Sequence, residues 1–386
     1  MSHTHGAGAG PLAGVTVVDT TSMLMGPYCT AVLAEMGARI IKIEAREGDI
    51  ARGIDDRTGK KLGPIYLNLN RGKESIALDL RNPDDRALFE RFVKNADVVT
   101  HNRPPGGELR LGLDYATLSA INPRIIVCGM FGFGASGPYG ALPAYDDVIQ
   151  AASGLAAHQT GDGEPQYVRT PLTDKITGIL AAGTISAALY ERERSGQGQY
   201  VELPMFETMV RFLLAEQQGG YIFDPPRGDA GYARTNSPHR HPFATRDGLI
   251  GILASTDAHW LSLFTVLGSA HLIEDDRFCS ITQRTINIDE LYRWLGEAVS
   301  KHTTTELLAR LRAERVPAMQ VNSIEDLFAD EHLVSTDFLE SVEHPELGAL
   351  RQARAPFGFS RSGAPTLAPA PVLDAHGENL RAEFSE

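Results

Sequence analysis

Cysteine is scarce in this 386-residue sequence: Cys29, Cys128 and Cys279 stand singly and are odd in number. No disulfide framework follows from such a set, and no CxxC pair or Cys/His cluster offers metal-ligand spacing. No metal site is expected, and isolated thiols point to a reduced, cytoplasmic compartment. Long apolar runs are also missing. The most apolar stretch, Ile176 to Leu189, amounts to about four helical turns, too short to span a bilayer. The Gly/Ala-rich lead from Met1 to Gly10, with His3 and His5, has no apolar core of the signal-peptide kind and reads as a loose terminus. Positive charge is in the minority, 36 Lys and Arg against 49 Asp and Glu for a net charge of −13. That balance argues against a nucleic-acid binder and for a soluble protein that does not engage a membrane.

What is present reads as an enzyme-sized chain of alternating elements, long enough for two or three domains at roughly 150 residues each. Val15–Asp19 has the pattern of a buried strand. Pro27 suits a first helical turn, Tyr28, Val32, Leu33 and Met36 recur at helical spacing, and Gly37 fits a C-terminal cap. Arg39–Glu44 reads as a second strand, so the unit is strand, helix, strand, with the two strands parallel. The pattern continues with a strand over Ser75–Leu80 and a helix opening at Asn82-Pro83. A strand over Asp97–His101, a helix over Asp114–Ile121 and a strand over Arg124–Met130 follow. Helices are expected over Ala144–Ala157 and Thr173–Arg194, the latter closed by Ser195-Gly196. A strand over Gln199–Met205 and a helix from Phe206 come next. This is an α/β, doubly wound, parallel-sheet architecture of the Rossmann-like kind. Residues 1–222 form the expected large domain and 223–242, rich in Pro and Gly, a linker. Residues 243–325 form a smaller α/β domain, and 326–386 a segment returning to the large one.

Gly132-Phe133-Gly134-Ala135-Ser136-Gly137 matches GxGxxG after a strand. A dinucleotide site needs a helix to begin there, with its N–H groups facing the pyrophosphate. Pro138, Gly140 and Pro143 prevent that. The motif instead reads as a tight loop at a strand's carboxyl end, near a ligand crevice.

Five ordered segments stand out along the chain. They are Leu12-Ala13-Gly14-Val15 with Asp19 and Gly26-Pro27; Met36-Gly37-Ala38 with Ile41–Glu44, Gly48-Asp49 and Arg52; and Asn70–Ile76 with Asp79-Leu80. The fourth joins Ala96-Asp97-Val98 to Asn102, Arg110–Leu113, Asn122-Pro123 and Gly132-Phe133-Gly134. The fifth is Thr173-Asp174 and Thr177-Gly178 through Gly196–Gln199. Together they resemble the class III CoA-transferases (the CaiB/BaiF family), whose relatives include formyl-CoA transferase and the α-methylacyl-CoA racemases, and a weaker likeness continues at His241-Pro242-Phe243 and Asp247-Gly248.

The resemblance implies acyl-CoA and a carboxylic acid as small-molecule substrates, no tightly bound cofactor, and a homodimer of interlocked chains. It implies that Met23 and Leu24 meet the nucleotide end of CoA. CoA is a polyanion and needs local cations, for which Arg46, Lys73, Arg103 and Arg110 are candidates, with Asn70 and Asn102 beside them. Asp174 alone would read as a helix-capping aspartate. In Asp174-Lys175-Ile176-Thr177-Gly178, however, it stands where the family carries its nucleophile. The reaction implied is attack on the thioester, an aspartyl anhydride, and then an aspartyl-CoA thioester. Succinyl-CoA or another short acyl-CoA is the default donor, with His239, Arg240 and His241 as candidate cations for a dicarboxylate. Tyr145 and Asp146 are placed at the acyl group. The racemases carry Gly-His-Asp there, whereas this chain has Ala144-Tyr145-Asp146, and a tyrosine is a poor reversible base near neutrality. Racemization and non-catalytic CoA binding remain the alternatives. The family's glycine lid has no clear counterpart, only Gly219-Gly220, Gly228 and Gly231.

Overall fold

A computed structural model describes residues 9–161 and 163–385. His3 and His5 lie outside the described residues. The chain divides into two compact units, one built from residues up to 160, 164–212 and 337 onward, the other from 161–163 and 213–336.

The first unit is organised by six parallel strands, β1 (Thr16–Asp19), β2 (Arg39–Glu44), β3 (Lys73–Ala77), β4 (Val98–His101), β5 (Ile126–Phe131) and β6 (Tyr200–Pro204). Their order is β3-β2-β1-β4-β5-β6. Every neighbouring pair is parallel. This is the doubly wound order, in which the chain leaves β1 first to one side and then to the other and opens a crevice where the direction reverses. One face carries Val18, Ile41, Ile76, Val99 and Val127 into a core with Leu88, Phe89, Phe92 and Leu118. The helices α1 (Met25–Glu35), α2 (Pro83–Asn95), α3 (Tyr115–Ile121), α4 (Asp146–Ala152), α5 (Leu172–Ser195) and α6 (Met205–Gln217) follow in chain order.

Local chemistry explains the boundaries. Asn82 caps α2 by accepting from the Asp84 and Asp85 N–H groups, with Pro83 in the first turn. Asp114 caps α3 through the Thr117 N–H. α5 stops where Gly196 turns left-handed at φ 75°. Two expectations differ in extent. β3 begins at Lys73 rather than Ser75, because the lysine's ammonium is taken up inside the protein and the charge therefore does not end the strand. The helix expected over Ala144–Ala157 breaks at Gly154, φ 85°, leaving α4 and a short turn over Leu155–His158.

The second unit holds an antiparallel sheet of β7 (Phe243–Ala244), β8 (Leu249–Ile252) and β9 (Ala318–Gln320). Its main helices are α7 (Asp257–Val266), α8 (Ile288–Val299) and α9 (Thr304–Ala313). They enclose a core of Phe243, Ile250, Leu263, Phe264, Leu291, Leu295, Leu307 and Leu311. In the first unit, β10 (Leu339–His344) and β11 (Gly348–Ala353) form a hairpin before the C-terminal segment.

Candidate active site

The start of α5 carries no capping side chain of its own, Pro171 standing at the N-cap. The cap comes from another helix. Asp146, at the first position of α4, accepts through Oδ2 from the N–H and hydroxyl of Thr173, both at 2.8 Å, and from the Asp174 N–H at 3.0 Å. Its Oδ1 accepts from Gln150 Nε2 at 2.6 Å. Four donors hold this buried carboxylate at the positive end of a 24-residue helix. Asp174 sits half-buried in the same turn. Burial, and then the neighbouring Asp146 charge, push its carboxyl up to about 7. It is therefore a carboxyl stripped of much of its water and poised near neutrality, the state in which a carboxylate is a useful nucleophile.

Beside this helix start lies an open cleft of about 360 Å³, lined by Asp146, Asp147, Tyr167, Arg169, Thr170 and their neighbours. Gly178, four residues after Asp174 and so on the same face of α5, lies against α1. A Cβ there would stand 2.6 Å from the Met25 carbonyl oxygen. The glycine lets α1 and α5 approach backbone to backbone, bringing the loop after β1 and the start of α5 together.

That loop is clamped from beneath by buried charges. Asp19 accepts from the Thr21 N–H and from the Thr21 and Thr30 hydroxyls. Lys42 Nζ donates to the Thr21 carbonyl at 3.0 Å and pairs with Asp49 at 2.9 Å. Asp49 in turn accepts from the Met23 N–H at 3.0 Å. Met23 is thereby held left-handed at φ 69°, a conformation that a side chain other than glycine adopts only when its surroundings impose it. Asn102, at the end of β4, fixes the same loop by donating to the Ser22 carbonyl and accepting from its N–H.

Among the candidate residues, Met23, Leu24, Arg46, Asn102, Arg103 and Arg110 all follow the carboxyl ends of strands, the edge where doubly wound sheets take ligands. Leu24 is buried, Arg103 and Arg110 are exposed, and Arg46 pairs with Asp85 at 2.9 Å. Asn70 and Lys73 stand instead at the amino end of β3. Asn70 is fully buried and donates to the Tyr66 carbonyl. Lys73 Nζ has all three donors engaged, with Asp19 at 3.3 Å, the Pro27 carbonyl at 3.0 Å and the Thr30 hydroxyl at 2.7 Å. Tyr145 is 77% exposed beside the cleft. Asp146 contributes to the cleft's lining but turns its carboxylate into α5.

The GxGxxG loop starts no helix at the motif, and some of its amides are already engaged. Gly134 N–H donates to Glu207 at 3.0 Å and Ala135 N–H to Glu202 at 3.1 Å. His239, Arg240 and His241 belong to the second unit. Two features escaped the sequence reading, the capping role of Asp146 and the position of Arg169. The Asp146 and Gln150 spacing, one helical turn, is the only trace of the first in the chain, and a lone exposed arginine gives no signal at all.

A doubly wound sheet with a desolvated carboxyl at the head of a long helix beside its crevice is a scaffold for acyl chemistry. The chain belongs to CoA-transferase family III, whose family model matches residues 12–377, and it is an enzyme of that class. It is 35% identical over 391 residues to the acetyl-CoA:oxalate CoA-transferase of Acetobacter aceti, covering 97% of this chain and 96% of that protein. The succinate–glutarate CoA-transferase of Agrobacterium fabrum is 31% identical over 383 residues, with the same coverage. Among solved structures, a CaiB/BaiF family protein from Brucella suis has a TM-score of 0.81 at 32% identity, covering 97% of this chain and 100% of that one. Rv3272 of Mycobacterium tuberculosis has a TM-score of 0.83 at 29% identity, with the same coverage.

Proposed function

We propose that the protein moves CoA from an acyl-CoA to a carboxylic acid, with Asp174 as the covalent nucleophile. The raised, half-buried Asp174 carboxyl beside an open cleft carries this reading. Ionised Asp174 attacks the donor's thioester carbonyl, the C–S bond breaks, and CoA leaves as thiolate from an aspartyl–acyl anhydride. The thiolate then attacks the aspartyl carbonyl, releasing the donor's carboxylate and leaving an aspartyl-CoA thioester. The acceptor carboxylate attacks that thioester, expelling the thiolate again, and the thiolate attacks the acyl carbonyl of the new anhydride. The product acyl-CoA leaves and Asp174 is restored. Each intermediate stays activated, so no ATP is needed.

Met23, Leu24, Asn102, Arg103, Arg110 and Arg46 would line the CoA crevice, while Lys73 and Asn70 would act from beneath it by holding the loops. Succinyl-CoA or another short acyl-CoA is the proposed donor, in keeping with relatives named for succinate, glutarate and oxalate. Free thiols at Cys29, Cys128 and Cys279 suit a reducing cytoplasm. Exposed Ile179, Leu180 and Tyr190 along α5 suit a homodimer.

The test is mass spectrometry after incubation with a panel of acyl-CoA esters, wild type beside Asp174→Ala, with hydroxylamine trapping. A CoA adduct on the Asp174 peptide, absent from the variant, is the expected result. No adduct with any ester, together with α-proton exchange in deuterated water, would overturn the reading in favour of racemization.

A further inference from the structure

The cleft beside α5 holds a cation with no partner among the described residues. Arg169 is exposed in its lining, and among the described residues it makes no ion pair and no hydrogen bond, although Asp146 and Asp147 line the same cleft. Asp146 is unavailable to it, its oxygens being spent on Thr173, Asp174 and Gln150.

The backbone on either side of Arg169 is pinned. Val168 N–H donates to Gln150 Oε1 at 2.8 Å, and Gln150 Nε2 reaches the Thr170 carbonyl at 3.5 Å. Thr170 Oγ1 accepts from Lys175 Nζ at 2.7 Å. Gln150 is fully buried, and its amide is the one that bonds Asp146. One chain of contacts therefore runs from the Asp174 N–H through Asp146 and Gln150 to the backbone beside Arg169. The buried Asp146–Gln150 pair thus ties the start of α5 and the backbone flanking Arg169 into one frame, while the guanidinium itself stays unbonded among the described residues. An arginine whose backbone is fixed beside the cleft and whose donors are unspent can turn its guanidinium to a ligand there at little cost in desolvation or broken bonds.

We propose that Arg169 is a specificity-determining residue that takes the distal carboxylate of a four- or five-carbon dicarboxylate, or of its CoA half-ester, whose other carboxyl reacts at Asp174. The inference rests on the Asp174 reading and deepens it. Arginine matches a carboxylate through two parallel N–H donors. The exposed Asp147 charge opposes any anion entering the cleft, so only a group that engages the guanidinium directly gains from the site. A monocarboxylate with an apolar tail would leave Arg169 unused and gain nothing from it.

The experiment compares succinyl-CoA with butyryl-CoA, which replaces the distal carboxylate by a methyl group, in wild type, Arg169→Gln and Arg169→Lys. Wild type is expected to favour succinyl-CoA. Arg169→Gln should lower kcat/KM for succinyl-CoA about ten- to hundredfold, the scale of a charge-assisted hydrogen bond, and leave butyryl-CoA within about twofold. Arg169→Lys should recover part of the loss, keeping charge without the fork. Equal losses for both esters, or no loss for either, would overturn the proposal. Calorimetric titration of Asp174→Asn with succinate and with butyrate separates the two readings. If Asp174 is not the nucleophile, the adduct is absent while succinate binding still depends on Arg169. If Arg169 has no such role, the adduct forms and binding is indifferent to Arg169→Gln.

Discussion

At the scale of single residues, two neighbouring carboxyls differ in their surroundings. Asp146 is buried with both carboxyl oxygens hydrogen-bonded, and Asp174 beside it is raised to about 7 by burial and then by the neighbouring Asp146. Attack on a thioester needs the ionised form, so the rate of adduct formation should rise with pH through about 7 and level off above it. Asp146→Asn keeps an acceptor oxygen for α5 but removes the charge that raises Asp174. Its midpoint should therefore move to lower pH, while a weakened cap costs roughly 1 kcal/mol of stability. Single-turnover adduct formation across a pH series reads the midpoint and a urea melt reads the cap. An unchanged midpoint would mean that burial alone sets the Asp174 carboxyl. Asp174 stands out as the candidate nucleophile because a sequence pattern marks it. Asp146's role does not, since capping across 28 residues depends on where two helices meet. The surroundings of Lys73 were hidden for a related reason: its stretch reads as a loop, and only the fold brings its ammonium against the buried Asp19 carboxylate.

Between elements, α1 against α5 is the contact that assembles the site. The sequence announces each helix through its apolar spacing and its closing glycine. It does not announce that their backbones touch at Gly178, where only an absent side chain permits the approach. Gly178→Val would force its added atoms onto the Met25 carbonyl and against Tyr28 Cβ at 3.4 Å. The helices must then part, costing about 1–3 kcal/mol, and the Met23 loop shifts away from the head of α5. Activity should fall by more than stability alone explains, seen as a drop in kcat at a temperature where circular dichroism still reports a folded protein. Full activity at that temperature would show that the loop and the helix start are positioned independently. Register was likewise beyond the sequence. The alternation over Ser75–Leu80 is real, but pairing with β2 begins two residues earlier, because Ile40 meets Lys73.

For the whole molecule, the doubly wound parallel class was readable because alternating strands and helices with short crossovers leave few topologies for a parallel sheet. The edge of that sheet was not. β3 ends the sheet, and an open parallel edge would invite another chain to pair with it. Asp374 and His376 cover it. His376 N–H donates to the Ser75 carbonyl at 3.0 Å, its Nδ1 accepts from the Ser75 N–H, and Asp374 accepts from the Ala77 N–H at 2.8 Å. Beyond them Leu380, 1% exposed, enters the core shared with Phe89 and Phe92, and the Phe384 ring meets Phe92 edge-on at 4.8 Å. The C-terminal tail is thus part of the core, although it is separated from β3 by some 300 residues. Leu380→Ala should cost about 2–5 kcal/mol, the range for emptying a fully buried leucine site. Ending the chain at residue 369 should do more, removing the apolar plug and the strand cover together and yielding aggregates rather than a soluble, weaker enzyme. Sedimentation of the truncated protein beside Leu380→Ala checks this. A soluble truncated chain melting no lower than the point variant would show that the edge is harmless without its cover.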